Sequence, residues 1–182
     1  MTGAPGIVLL GVSGAGKTSV GRILAERLDV DFVDADDLVA KEAGVPFAEL
    51  VIAQDPRLER LRRSAARRAL ACPGAVVALG ASQIEDADTL DAIREAKTRG
   101  AFVVELVADT AEVARRSGLN RPRSVGLGAP RALLTAMIAA LHERYADVAD
   151  SSVQTGGAGP ALVADRVLGE CRLAGDSPNN RD

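Results

Sequence analysis

Gly11-Val12-Ser13-Gly14-Ala15-Gly16-Lys17-Thr18 is the stretch of this sequence in which residue type and spacing say most about chemistry. Glycines at 11, 14 and 16 let successive backbone N–H groups curl around an oxyanion without interference from Cβ atoms. A lysine follows at once, and next to it a hydroxyl suited to a hard cation. The pattern is G-x-x-x-x-G-K-[ST], the loop that cradles the phosphates of a nucleoside triphosphate. Lys17 would reach the β- and γ-phosphates and Thr18 would place its hydroxyl on Mg²⁺. Contacts to ATP are therefore expected from Gly11, Ser13, Gly14, Ala15, Gly16, Lys17, Thr18 and Ser19. Such a loop binds a triphosphate without saying what receives the phosphate.

The receiving chemistry has to be sought in Asp34, Asp36 and Asp37. In extended chain Asp34 and Asp36 point to the same side. One acid there would cap the helix that follows, with Asp36 or Asp37 as the expected cap. Three exceed what a cap requires. One carboxylate can then belong to the Mg²⁺ shell and another can orient or deprotonate an accepting hydroxyl. Ser82 and Gln83 follow a later apolar run and are positioned to hydrogen-bond a hydroxyl-rich acceptor. His142 is read as an exposed or half-buried helix residue without a catalytic part. Cys72 and Cys171 are read as isolated, partly buried thiols.

The elements needed to position these groups are legible. Apolar runs at Gly6–Leu10, Val30–Val33, Ala75–Leu79, Ala101–Val107 and Ser151–Thr155 predict five strands. Several are apolar without alternation, as in strands buried on both faces. Between them the pattern predicts helices over Lys17–Leu28, Asp36–Ala43, Phe47–Gln54, Pro56–Ala71, Asp86–Arg99, Thr110–Ser117, Ala129–Tyr145 and Pro160–Arg172. Residues 118–128, rich in Gly, Arg and Pro, read as a loop. Strands alternating with helices imply an α/β fold, a three-layer sandwich around a five-stranded parallel sheet. The phosphate loop then falls between the first strand and the first helix, where a helix N-terminus adds partial positive charge.

Composition narrows the classes of partner. The 182 residues are 47% apolar and 26% charged, as in a globular chain. Aromatic residues are only 2% of the chain, and the net charge is −3. Stacking platforms for single-stranded nucleic acid and a basic field for duplexes are both missing, so no nucleic-acid partner is expected. No apolar run approaches the ~20 residues that span a bilayer, and the N-terminus has no basic region before its apolar run. A cytoplasmic protein without a membrane partner is the expectation.

The stretch GVSGAGKTSVGRILAERLDVDFVDADDLV resembles the first part of shikimate kinases, P-loop kinases of the nucleoside-monophosphate-kinase type. GVPFAEL, Asn120-Arg121-Pro122 and the run from Tyr145 to Asp150, similar to a family Y-x-x-V-A-D, extend the resemblance to about Gly169. It implies ATP- and Mg²⁺-dependent transfer to a ring hydroxyl of shikimate, within one domain over residues 1–173. That domain would carry a lid at about 116–128, and a flexible tail would follow over 174–182. A monomer acting on a small hydroxyl acceptor is expected. By position, the resemblance assigns Lys17, Asp36 and Arg121 to catalysis, and Thr18 and Asp34 to Mg²⁺. It places Arg116 against the adenine and Arg121 on the transferring phosphate. Asp36, Arg60, Gly80, Ala81 and Ser82 fall at the acceptor, with Arg60 gripping the carboxylate.

The chain departs from that pattern at four places, two of them being Arg63 where the family has an acid three after Arg60, and a lid loop about two residues shorter. The family's glycine triplet reads Gly80-Ala81-Ser82, and its second carboxylate-binding arginine reads Leu141, with Arg144 nearly a helical turn further on. Within the cluster Arg57, Arg60, Arg62, Arg63, Arg67 and Arg68, a substitute cation is conceivable at Arg63 or Arg67, which share a helical face with Arg60. Arg62, Arg67 and Arg68 are read as a solvated basic face. A kinase with another acceptor (gluconate, a sugar or a cyclitol) and a nucleotide-binding regulatory protein are the alternatives.

Overall fold

The computed structural model describes residues 4–108, 111, 113 and 128–175. Five strands form one parallel sheet: β1 (Ile7–Leu10), β2 (Phe32–Asp34), β3 (Val76–Ala78), β4 (Phe102–Val107) and β5 (Ser151–Gln154), in the order β2-β3-β1-β4-β5. Seven α-helices accompany them among the described residues: α1 (Lys17–Leu28), α2 (Ala35–Ala43), α3 (Phe47–Ile52), α4 (Leu58–Leu70), α5 (Ala87–Thr98), α6 (Gly128–Ala146) and α7 (Pro160–Gly175). A 3-10 turn, Ala81–Glu85, follows β3.

All four residues of β1 and all three of β3 are buried. Side chains alternate across a strand, so both faces of the sheet centre are covered, as the unbroken apolar runs imply. α1 packs against α7, and α4 against α2 and α5. The core is aliphatic, and Tyr145 is its one large aromatic, 1% exposed.

The central elements fall where the pattern puts them, and α1 matches residue for residue. The differences lie at turns. Asp29 ends α1 in the left-handed region (φ 53°), and Val30 donates back to the Ala25 carbonyl, so β2 starts at Phe32 rather than Val30. Gln54 is also left-handed (φ 49°), and the Leu58 N–H closes a turn on the Asp55 carbonyl. That turn consumes Pro56 and Arg57, so α4 begins at Leu58. α7 continues to Gly175, two residues into the expected tail. The expected 110–117 helix (save 111 and 113), the 118–128 lid loop up to 127 and the tail beyond 175 lie outside the described residues.

Candidate active site

Strand order decides where the chemistry meets. β1 lies beside β4; the connection from β1 runs toward β2 and that from β4 toward β5, so the two part at the C-terminal ends and open a crevice there. The phosphate loop fills one side of it. Gly11 has φ 140°, and a Cβ at that position would stand 2.6 Å from the Leu106 carbonyl oxygen, so the turn off β1 admits only glycine. Gly14 and Gly16 also have positive φ.

The resulting cleft has a volume of about 630 Å³. Residues 13–19 line one wall, Asp34 and Asp36 the floor, and Phe47, Val51, Arg62 and Gly80–Ser82 the opposite side. Thr155, Ala158, Pro160 and Val163, at and before the start of α7, close another wall that sequence reasoning missed. They carry no motif and reach the cleft only because β5 runs parallel beside β4.

Lys17 Nζ donates to the carbonyls of Gly11 (2.7 Å) and Val12 (3.1 Å). Burial lowers its pKa to about 8, against the pull of Asp36 and Asp34. Thr18 Oγ1 donates to Asp34 Oδ2 at 2.7 Å, while Asp34 Oδ1 accepts the Asp36 N–H at 3.0 Å. Asp34 is therefore the cap of α2, not Asp36 or Asp37. Its second oxygen stays beside the Thr18 hydroxyl, and the two make a pair of hard oxygen donors suited to Mg²⁺. No cluster of three His, Cys, Asp or Glu side chains able to hold a metal occurs among the described residues. A cation here would rely on phosphate oxygens for its remaining ligands, as Mg²⁺ does in phosphoryl-transfer sites.

Asp36 Oδ1 is buried without a hydrogen-bond partner among the described residues. Burial raises its pKa, Asp34 adds to the rise, and Lys17 and Arg62 oppose it. A Cβ on Gly80 would lie 2.5 Å from that same oxygen, so a side chain there would displace the carboxylate from its present place. Ala81 and Ser82 line the cleft beside it, as expected.

The arginines sort differently from the expectation. Arg60 is exposed and takes no part in the lining, whereas Arg62 lies in the cleft. Arg62 is 17% exposed, its guanidinium 5.4 Å from the Phe47 ring centroid and 2.7 Å from Glu59. The resemblance assigns the acceptor carboxylate to Arg60, two residues before the arginine that lines the cleft. Arg63 is bound to Asp86 (2.7 Å) and Asp88 (3.3 Å), Arg67 approaches Asp88, and Arg68 bonds Glu42. None of the three replaces the missing cation. Leu141 packs against the core, and Arg144 is exposed. Gln83 is 2% exposed and absent from the cleft lining, contrary to its reading as an acceptor contact. Arg116 and Arg121 lie outside the described residues.

Two polar contacts behind the cleft carry no sequence signal. His142 Nδ1 sits 2.8 Å from Glu105, an acid buried within β4, and the Tyr145 hydroxyl donates to the Ala81 carbonyl at 2.8 Å. Cys72 and Cys171 are free and partly buried, and burial pushes the Cys171 thiol up to about 11.

A phosphate loop at the switch point of a parallel sheet, faced by a buried carboxylate and an arginine, defines a P-loop small-molecule kinase. The shikimate kinase family model matches residues 13–172, most of the chain. A shikimate kinase of Thermobifida fusca is 37% identical over 177 residues, covering 97% of this chain and all of that protein. The chain belongs to the shikimate kinase family, enzymes that transfer phosphate to a hydroxyl of a small molecule. A solved shikimate kinase from Acinetobacter baumannii, in complex with shikimate, shares the fold with TM-score 0.80 and 23% identity over 97% of both chains. A gluconokinase from Sinorhizobium meliloti 1021 shares it less closely, with TM-score 0.60 and 24% identity over 97% of both chains. Among the described residues no helix is long and apolar enough to cross a membrane.

Proposed function

We propose that this protein transfers the γ-phosphate of ATP to the 3-hydroxyl of shikimate, acting as a cytoplasmic monomer. The observation that carries the reading is one cleft holding an unpartnered carboxylate oxygen of Asp36, the Lys17 ammonium and the Arg62 guanidinium. The loop amides and Lys17 hold the triphosphate. Arg62 takes the acceptor carboxylate by a charge-assisted bond, which turns a hydroxyl toward Asp36. The hydroxyl oxygen attacks the γ-phosphorus as the bond to the leaving oxygen of ADP breaks, and the hydroxyl proton passes to Asp36. The raised pKa of Asp36 makes it a better proton acceptor than an ordinary aspartate. Thr18 and Asp34 would hold Mg²⁺, which when bound offsets charge on the phosphate oxygens.

The test is ADP release from Mg²⁺-ATP with and without millimolar shikimate. A large shikimate-dependent rate, lost in Asp36→Asn, is expected. No acceleration by shikimate overturns the acceptor assignment. Leu141 favours one second reading, an acceptor without a carboxylate, because it leaves Arg62 the one arginine lining the cleft among the described residues. Response to a sugar or cyclitol in place of shikimate supports that reading.

A further inference from the structure

Gln83 lies in the 3-10 turn after β3 with its amide turned away from the cleft and fully buried. Its Oε1 accepts the Gly80 N–H at 2.6 Å, and its Nε2 donates to the Arg62 carbonyl at 2.8 Å. Its own N–H donates to the Gly80 carbonyl at 3.1 Å. These bonds join the turn after β3 to the middle of α4, the element that precedes β3 in the chain.

What they join are the two ends of the acceptor site. Gly80 is in van der Waals reach of the Asp36 carboxylate, so the position of its backbone sets the wall against the proton acceptor. Arg62 provides the cation for the other end. Two arginines would orient a carboxylate by their own geometry. With Leu141 in the second position, Arg62 is the one arginine lining the cleft among the described residues, and its backbone has to be fixed by something else. We propose that Gln83 is a positioning residue that locks Gly80 to Arg62, so that the base and the Arg62 guanidinium stay at one separation. The proposal rests on the acceptor reading above.

The test compares Gln83→Leu and Gln83→Glu by steady-state kinetics and by amide exchange. Removing both side-chain bonds in Gln83→Leu should raise the KM for shikimate about 10- to 100-fold and leave the KM for ATP within about twofold. Gln83→Glu keeps an acceptor for the Gly80 N–H but must be protonated to donate to the Arg62 carbonyl. Its shikimate KM, relative to wild type, should approach one as pH falls and rise as pH increases, a trend absent from Gln83→Leu. Equal changes in both KM values, or a pH-independent ratio for Gln83→Glu, overturn the proposal. Should Gln83→Leu fail to fold, the pH trend of Gln83→Glu still decides. If the wild-type rate ignores shikimate, the acceptor reading has failed separately. Exchange of the Gly80 amide, followed by NMR without any acceptor, then decides the lock. Faster exchange in Gln83→Leu than in wild type supports it, and unchanged exchange overturns it.

Discussion

One oxygen of Asp36 is buried without a hydrogen-bond partner among the described residues, and the pKa of its carboxyl is raised mainly by burial. For an acid with a raised folded pKa, the associated stability is full below the ordinary value of 3.8 and is lost as pH rises through the folded pKa. At neutral pH the charged carboxylate is therefore a burden on the fold. Asp36→Asn should unfold at a higher temperature than wild type at neutral pH, by the equivalent of about 1 kcal/mol, with the gain vanishing below about pH 4. The same variant should lose about 10²- to 10⁴-fold in transfer rate. Lys17 has the opposite charge but the same cause. With its pKa near 8, much of it is neutral in mildly alkaline solution, and a triphosphate would restore the cation. Nucleotide binding should thus take up about half a proton at about pH 8 and close to none at about pH 6, read as the buffer dependence of the calorimetric enthalpy. The two neighbouring arginines separate on substitution. Arg62→Ala should raise the acceptor KM about 30- to 1000-fold, while Arg60→Ala, being exposed, should leave it within about twofold.

The wall Gly80–Ser82 is held by elements on both sides of it. From α4 the bond is through Gln83; from α6 it is the Tyr145 hydroxyl on the Ala81 carbonyl. α6 is itself seated on the sheet by His142 and Glu105. Burial raises the Glu105 carboxyl, and His142 opposes the rise. Once ionised, the buried Glu105 carboxylate needs a hydrogen-bond donor, so the contact with His142 matters more as pH exceeds the Glu105 pKa. His142→Ala should therefore lose about 1–3 kcal/mol of unfolding free energy at about pH 7 and much less at about pH 4, measured by urea denaturation. An acid in a central strand defies the apolar pattern of its neighbours. It is tolerated because a residue from a distant helix reaches it.

At the scale of the molecule, strand order brings segments around residues 15, 35, 80 and 158 to one end of the sheet. A ligand spanning them binds the folded chain and not the unfolded one. Mg²⁺-ATP at about 100 times its dissociation constant should add about 2.7 kcal/mol of stability. For a chain of this size that is a rise of about 5–10 °C in Tm by calorimetry, and Lys17→Ala should lose most of it. The arginines of α4 are likewise sorted by the whole fold. Arg63 and Arg67 face the acids of α5, Arg68 faces α2, and Arg62 is left to the cleft.

The local features of this protein were written in the sequence. The phosphate loop, the paired acids after β2 and the strands of the sheet centre depend on residue type, short spacing and burial on both faces. These are properties of a few consecutive residues. Lys17 was legible for the same reason, whereas Gly80 came only through the family resemblance. The cleft arginine was not legible: the resemblance falls on Arg60, and the packing of α4 leaves Arg62 in the lining. Nor were the partnerships of Gln83 with Arg62, Tyr145 with Ala81, or His142 with Glu105. In each, the two residues are far apart in the chain, and only the packing of helices against the sheet decides which polar groups meet and which face the cleft.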